Sequence, residues 1–130
     1  MPYTLKWDDE QHTIYHLHLF GEWTWEDWTI AFRQAHAEIG TESHRVDFII
    51  QIQNRIPKGN AAPHFKYAGR EQPPNARHSV LVNQSGIFLE LLLKGIIKQH
   101  GWDGPKFTET VEEGREYLLE KRLNMDETPE

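Results

Sequence analysis

The stretch from His78 to His100, HSVLVNQSGIFLELLLKGIIKQH, decides the fold. It opens with a short β-branched run, 79–83, passes through Gln84, Ser85 and Gly86, and enters the most apolar segment of the chain. There Ile87, Phe88, Leu89, Leu91, Leu92, Leu93, Ile96 and Ile97 cover more than the i, i+3, i+4, i+7 stripe of an amphipathic surface helix. The pattern predicts a core helix gripped on several sides. Burying each Leu, Ile or Phe contributes roughly 1.5 to 3 kcal/mol, so Leu92→Ala is expected to remove about 2 to 5 kcal/mol of stability.

Working outward, each flank repeats the alternation of strand and helix. On the N-terminal side, 3–7 and 13–20 are strands around the polar turn Asp8-Asp9-Glu10-Gln11, a hairpin. In the second of them Thr13, Tyr15, Leu17 and Leu19 share one face, and Ile14, His16, His18 and Phe20 share the other, more polar one. Thr24 stands three residues before Asp27 as an N-cap, and Trp25, Trp28, Phe32, Ala35 and Ile39 form one helical stripe that Gly40 ends. A strand over 46–53 follows, with Val46, Phe48, Ile50 and Ile52 on its oily face and Asp47, Ile49, Gln51 and Gln53 on its mixed one. Residues 54–74 are rich in Pro and Gly and hold a short helix at 63–68. Past the central stretch come a short strand at 106–109 and the capping box Thr110 to Glu113, which opens a last helix through about Leu123. The polar tail, 124–130, is expected to fray.

The order β-β-α-β-α-β-α-β-α implies one α/β domain over 1–123, with a mixed, mostly parallel sheet. Two strands alternate where a doubly covered parallel strand would be apolar throughout, which places the helices mainly on one face. That arrangement would leave Ile14, Phe20 and Ile49 of the second face in water. Such a face invites self-association as a homodimer, weakened as pH falls toward 5 and His16 and His18 protonate; the plainer alternative is that the opening hairpin or the terminal helix folds over it and leaves a monomer.

Composition narrows the function. The chain has 130 residues and a net charge of −6 with mixed signs, which argues against binding nucleic-acid backbones. It has no cysteine, hence no disulfide and no thiolate metal site. The N-terminus lacks a signal-peptide pattern and no apolar run reaches about 18 residues, so no integral membrane segment and a cytoplasmic location are expected. No nucleophile elbow, zinc-protease, phosphate-loop or dinucleotide fingerprint is present, and neither enzyme activity nor a cofactor is expected. His16 and His18 lie on one strand face as metal ligands can, with Asp47 the candidate third ligand; two ligands make no site, and none is assigned.

The element order, the stretch VLVNQSGIFLELLLKGIIK and the ending KFTETVEEGREYLLEKR together resemble the SpoIIAA-like proteins. These include the STAS anti-sigma-factor antagonists and are related in fold to CRAL-TRIO lipid-transfer domains. The resemblance covers residues 3–122 and implies a non-catalytic module that docks a protein partner. Its relation to lipid-transfer domains implies the alternative of a carrier for a small anionic or apolar molecule. In the antagonists a phosphorylated serine or threonine switches partner binding. The corresponding segment here, 54–65, NRIPKGNAAPHF, holds neither, and Tyr67 is the only hydroxyl side chain between Gln51 and His78.

Ligands of parallel sheets bind beyond the carboxyl ends of the strands. The loops there bring Trp23, Trp25, Arg55, Lys58, Asn60, Asn83 and Ser85 together as a basic, aromatic-rimmed candidate site for a ligand or partner. The plainer reading is that Ser85 and Asn60 cap helices and that Arg55 and Lys58 are solvated. A cavity between the central helix and the sheet would favour the carrier; a solid core with an exposed apolar patch would favour the docking module.

Overall fold

The computed structural model describes residues 2–100 and 104–127. Its strands are β1 (Tyr3–Trp7), β2 (Ile14–Leu19), β3 (Val46–Gln53), β4 (Ala76–Gln84) and β5 (Lys106–Thr108). Its helices are α1 (Trp25–Gly40), α2 (Ala62–Arg70), α3 (Ile87–His100) and α4 (Val111–Glu127). The strands form one sheet in the order β1-β2-β3-β4-β5, with β1 antiparallel to β2 and the other neighbours parallel. The expected α/β class, element order and mixed sheet are therefore present.

Local chemistry explains the ends of these elements. In the β1–β2 turn the Asp9 carboxylate accepts hydrogen bonds from the amides of Thr13 (2.8 Å) and Ile14 (3.0 Å), while His12 takes a left-handed φ of 57°. His12 also stacks on Trp7 with ring centroids 4.2 Å apart, which stabilises that turn. Thr24 and Asp27 make a reciprocal capping box on α1, the Asp27 amide donating to Thr24 Oγ1 and the Thr24 amide to Asp27 Oδ2. The Glu113 amide donates in the same way to Thr110 Oγ1 at the start of α4. That helix runs on to Glu127, so residues 124–127, expected in the tail, are helical; the rest of the tail lies outside the described residues.

Period-two alternation divides the sheet residues between two clusters. Tyr15, Leu17, Leu19, Val46, Phe48, Ile50, Ile52 and Leu81 meet α1, α2 and α3 on one face. Ile14, Ile49, Val80 and Val82 meet Leu118 of α4 on the other. Three helices thus cover one face and one helix the second.

Two expectations are corrected here. The second face is not open, because α4 lies over it and leaves Ile14 and Ile49 only 6% and 0% exposed. Self-association through Ile14 and Ile49 loses its premise. The central helix, α3, is held on one side only. Leu89, Leu93 and Ile96 are buried, whereas Phe88, Leu91 and Leu92 are 76%, 59% and 39% exposed. Sequence hydrophobicity records how many stripes a helix has, not how many neighbours the fold supplies. Here β5, the strand outside β4, is three residues long, and Lys94 of α3 already reaches over its Phe107 ring (5.4 Å to the centroid).

Candidate functional site

The loops at the carboxyl ends of β2, β3 and β4 meet, but their groups are spent on one another. The Gly21 amide donates to Asn54 Oδ1 (2.6 Å), and the Ser85 hydroxyl donates to the Asn54 carbonyl, tying all three loops through one residue with φ of 69°. The Asn83 side chain accepts from the Ser85 amide (3.0 Å) and donates to the Gly86 carbonyl (2.9 Å), an Asx turn that leads into α3. Asn60 Oδ1 accepts from the Ala62 amide (3.2 Å) at the start of α2. Trp23 and Trp25 form no rim. Both are buried in the core, and their indole N–H groups donate inward to the carbonyls of Gln53 (3.2 Å) and Pro57 (3.3 Å). Arg55 and Lys58 are exposed. The structure leaves five of the seven, Arg55, Lys58, Asn60, Asn83 and Ser85, in the loops or on their surface and gives Asn60, Asn83 and Ser85 backbone partners, the plainer of the two expected roles.

The feature best suited to a ligand lies elsewhere, under α3. A cavity of about 410 Å³ runs alongside the middle of β3 and β4, between the sheet and the three helices of that face. Trp28 and Phe32 of α1, Phe48 and Ile50 of β3, Phe65 of α2, Leu81 of β4, and Leu93 and Ile97 of α3 supply its apolar walls. Ser79, Gln72 and Pro105 add polar and mouth-lining groups, and none of the seven loop residues lines it. The volume falls within the range of small-molecule sites, roughly 300 to 1,000 Å³. Three small residues, Ala68 and Gly69 of α2 and Ser79 of β4, are among those that line this space. A second recess of about 570 Å³, between β5 and α4, is lined by Lys106, Glu113, Glu116, Glu120 and Lys121. It is a charged surface groove rather than an apolar pocket.

Two buried polar groups stand in or behind the cavity wall. Trp28 is 1% exposed and its indole N–H has no hydrogen-bond partner among the described residues, so a donor next to the cavity is uncompensated. His36, one turn beyond Phe32 on α1, packs edge-on against Phe32 (5.8 Å) and Phe48 (6.1 Å), and neither ring nitrogen has a partner. Burial pushes its pKa down to about 4, so at neutral pH the ring is uncharged and the wall stays apolar.

On the opposite face, His16 donates to Gln51 Oε1 (2.9 Å), His18 to Gln53 Oε1 (2.8 Å), and Gln51 to Gln84 Oε1 (2.9 Å), a side-chain ladder across β2, β3 and β4. Burial lowers the His16 pKa, opposed by its bond to Gln51 and by Asp8, whose carboxylate is 4.0 Å from Nδ1. Asp47, the residue considered as a third metal ligand, sits level with Ile14 rather than with the histidines and is bound by Arg122 at 2.7 Å. Among the described residues no group of three or more His, Asp or Glu side chains is placed to hold a metal ion. Nor is any described helix long and apolar enough to cross a membrane.

The cavity could not be read from the sequence because its walls use the same aromatic stripe that signals a packed core. The one available signal was the adjacent small pair Ala68 and Gly69 among the lining residues. No protein-family model, curated protein or solved structure matches this chain, so the site is characterised by its own geometry.

Proposed function

We propose that this chain is a non-catalytic binding domain that holds a small, mainly apolar molecule in the cavity beneath α3. The cavity itself carries this reading: about 410 Å³ of space, walled by aromatic and aliphatic side chains, sits where a filled core would be expected. The resemblance of the sequence to SpoIIAA-like proteins, whose fold is related to that of lipid-transfer domains, agrees with this reading. The proposed ligand position differs from the loop site expected from strand order. A molecule with an apolar body and a hydrogen-bonding head suits the walls, since Ser79, Gln72 and the Trp28 indole, which has no partner among the described residues, are the polar groups that line them.

Calorimetric titration with a series of medium-chain fatty acids and alcohols tests this. Saturable binding is expected, reduced at least tenfold by Ala68→Leu, which fills the space. A well-folded protein that gives no heat with any of the series contradicts the proposal, as does undiminished binding to a folded Ala68→Leu.

The second reading, a SpoIIAA-like module that docks a protein partner, is favoured by the exposed apolar residues of α3. It would operate without the phosphoswitch, because residues 54–65 contain no serine or threonine. Tyr67, the nearest hydroxyl, accepts a hydrogen bond from Arg33 Nε (2.9 Å) beneath that guanidinium. Phosphopeptide mapping should find no regulatory modification in this segment. A phosphate on Tyr67 that altered partner binding would restore the switch.

A further inference from the structure

The cavity beneath α3 offers polar groups but no charged one. Among the described residues that line it, none is Asp, Glu, His, Lys or Arg. Its polar side chains are the Ser79 hydroxyl and the Gln72 carboxamide, and Trp28 of its wall carries an indole N–H. Ser79 stands level with Phe48 in the β3–β4 register, half-buried, while Gln72 is exposed just past the end of α2. None of these three side-chain groups makes a hydrogen bond to another described residue. The surroundings add no charge to the walls. Arg70 and Lys98, basic residues in the last turns of α2 and α3, do not line the space. His36, behind Phe32 and Phe48, is uncharged at neutral pH.

Resting on the function proposed above, we infer that the molecule held here carries an uncharged head, a hydroxyl or a carbonyl, and that the cavity discriminates against a carboxylate or an ammonium on the same chain. A hydroxyl or carbonyl exchanges its hydrogen bonds with water for bonds to these groups, so its entry costs little. It also supplies partners to polar groups that have none within the chain. A carboxylate gives up far more hydration, and neutral dipoles return only part of it, because no cation faces it from the walls. An ammonium meets the same deficit, because no carboxylate faces it. Donor chemistry adds a second distinction. The hydroxyl and the carboxamide can donate or accept, whereas the indole N–H only donates. All three groups therefore serve an acceptor oxygen, and only two of them serve an ammonium.

Calorimetric titration at neutral pH with four ligands of one chain length tests this. Octanol and methyl hexyl ketone should bind at least about tenfold tighter than octanoate or octylammonium, the effect of one charge without a counter-charge. Ser79→Ala should weaken octanol by about two- to tenfold, the worth of one hydrogen bond. It should leave octanoate unchanged, since that head stays in the water at the mouth. Gln72→Arg, at an exposed position, supplies the missing cation and should tighten octanoate by at least about fivefold, with octanol held within about twofold. Octanoate or octylammonium binding as tightly as octanol overturns the inference and leaves the proposed binding function standing. So does octanol affinity that is the same in Ser79→Ala as in the parent chain. A folded protein that binds none of the four overturns the inference together with the function on which it rests.

Discussion

α3 and α4 are opposites in composition and in attachment. α3 is the most apolar helix, yet one of its two stripes is in water. α4 offers little apolar surface to the sheet, with Leu118 buried and Val111 and Tyr117 partly so, but polar staples hold it along its length. Arg115 donates from two nitrogens to Asp8 (2.7 and 2.8 Å), fixing the helix to the end of β1. Arg122 reaches Asp47 on β3 (2.7 Å) and the Thr13 carbonyl (2.7 Å) ahead of β2. Gly114 lets the backbone approach the sheet, since a Cβ there would lie 3.0 Å from Val80. A helix's apolar content sets its capacity for contact, while the groups facing it decide how much of that capacity the chain itself uses.

The largest effect should come from α4. Arg122→Ala leaves the fully buried Asp47 carboxylate without its guanidinium and is expected to remove about 3 to 5 kcal/mol, measured by chemical denaturation. A loss below about 1 kcal/mol, the level of ordinary surface changes, would show that the staple does not hold the helix. Next, α3 should respond by stripe. Leu89→Ala, on the buried side, is expected to cost about 2 to 5 kcal/mol. Leu91→Ala, at 59% exposure, should change monomer stability by no more than about 0.5 kcal/mol. Equal losses at the two sites would erase the distinction between the stripes. Leu92, once expected to behave as core, is 39% exposed and belongs between them.

Acid separates the two faces further. His36 has a folded pKa near 4, below its unfolded value near 6.5, so the folded state binds fewer protons between those values. The stability tied to its neutral ring is complete above about pH 6.5 and is lost as pH falls toward 4, on the order of 3 kcal/mol in all. His36→Phe should flatten that part of the pH–stability curve. Asp8 is held below the usual carboxylate range, chiefly by its hydrogen bond to Arg115. Its contribution is present above the unfolded pKa near 3.8 and disappears only as pH falls below it. Hydrogen exchange should therefore show α4 keeping its protection down to about pH 4 and losing it below. Loosening of α4 already at pH 6 would contradict the assigned staple.

Much of the fold was legible because period-two and period-3.6 patterns act locally. Val46–Gln53 and the stripe from Trp25 to Ile39 can be read from their own residues. Long-range pairings cannot. Arg122 finds Asp47 across 75 positions and Arg115 finds Asp8 across 107, and without them α4 offers the sheet only Val111, Tyr117 and Leu118. The cavity was hidden for a related cause. It is a property of three helices and two strands failing to close, whereas sequence patterns report only which way each one faces. The three loops do meet, through Asn54, but Trp23 and Trp25 turn inward, where their indole donors reach the carbonyls of Gln53 and Pro57.

The central claim is that the cavity beneath α3 takes up an apolar molecule, and methyl-labelled NMR tests it most directly. On titration with a medium-chain fatty acid, the methyl signals of Leu81, Leu93 and Ile97 should shift together and saturate. Those of the exposed Leu119 and Leu123 on α4 should stay in place. Unmoved cavity methyls, or shifts confined to the exposed leucines, would contradict the account.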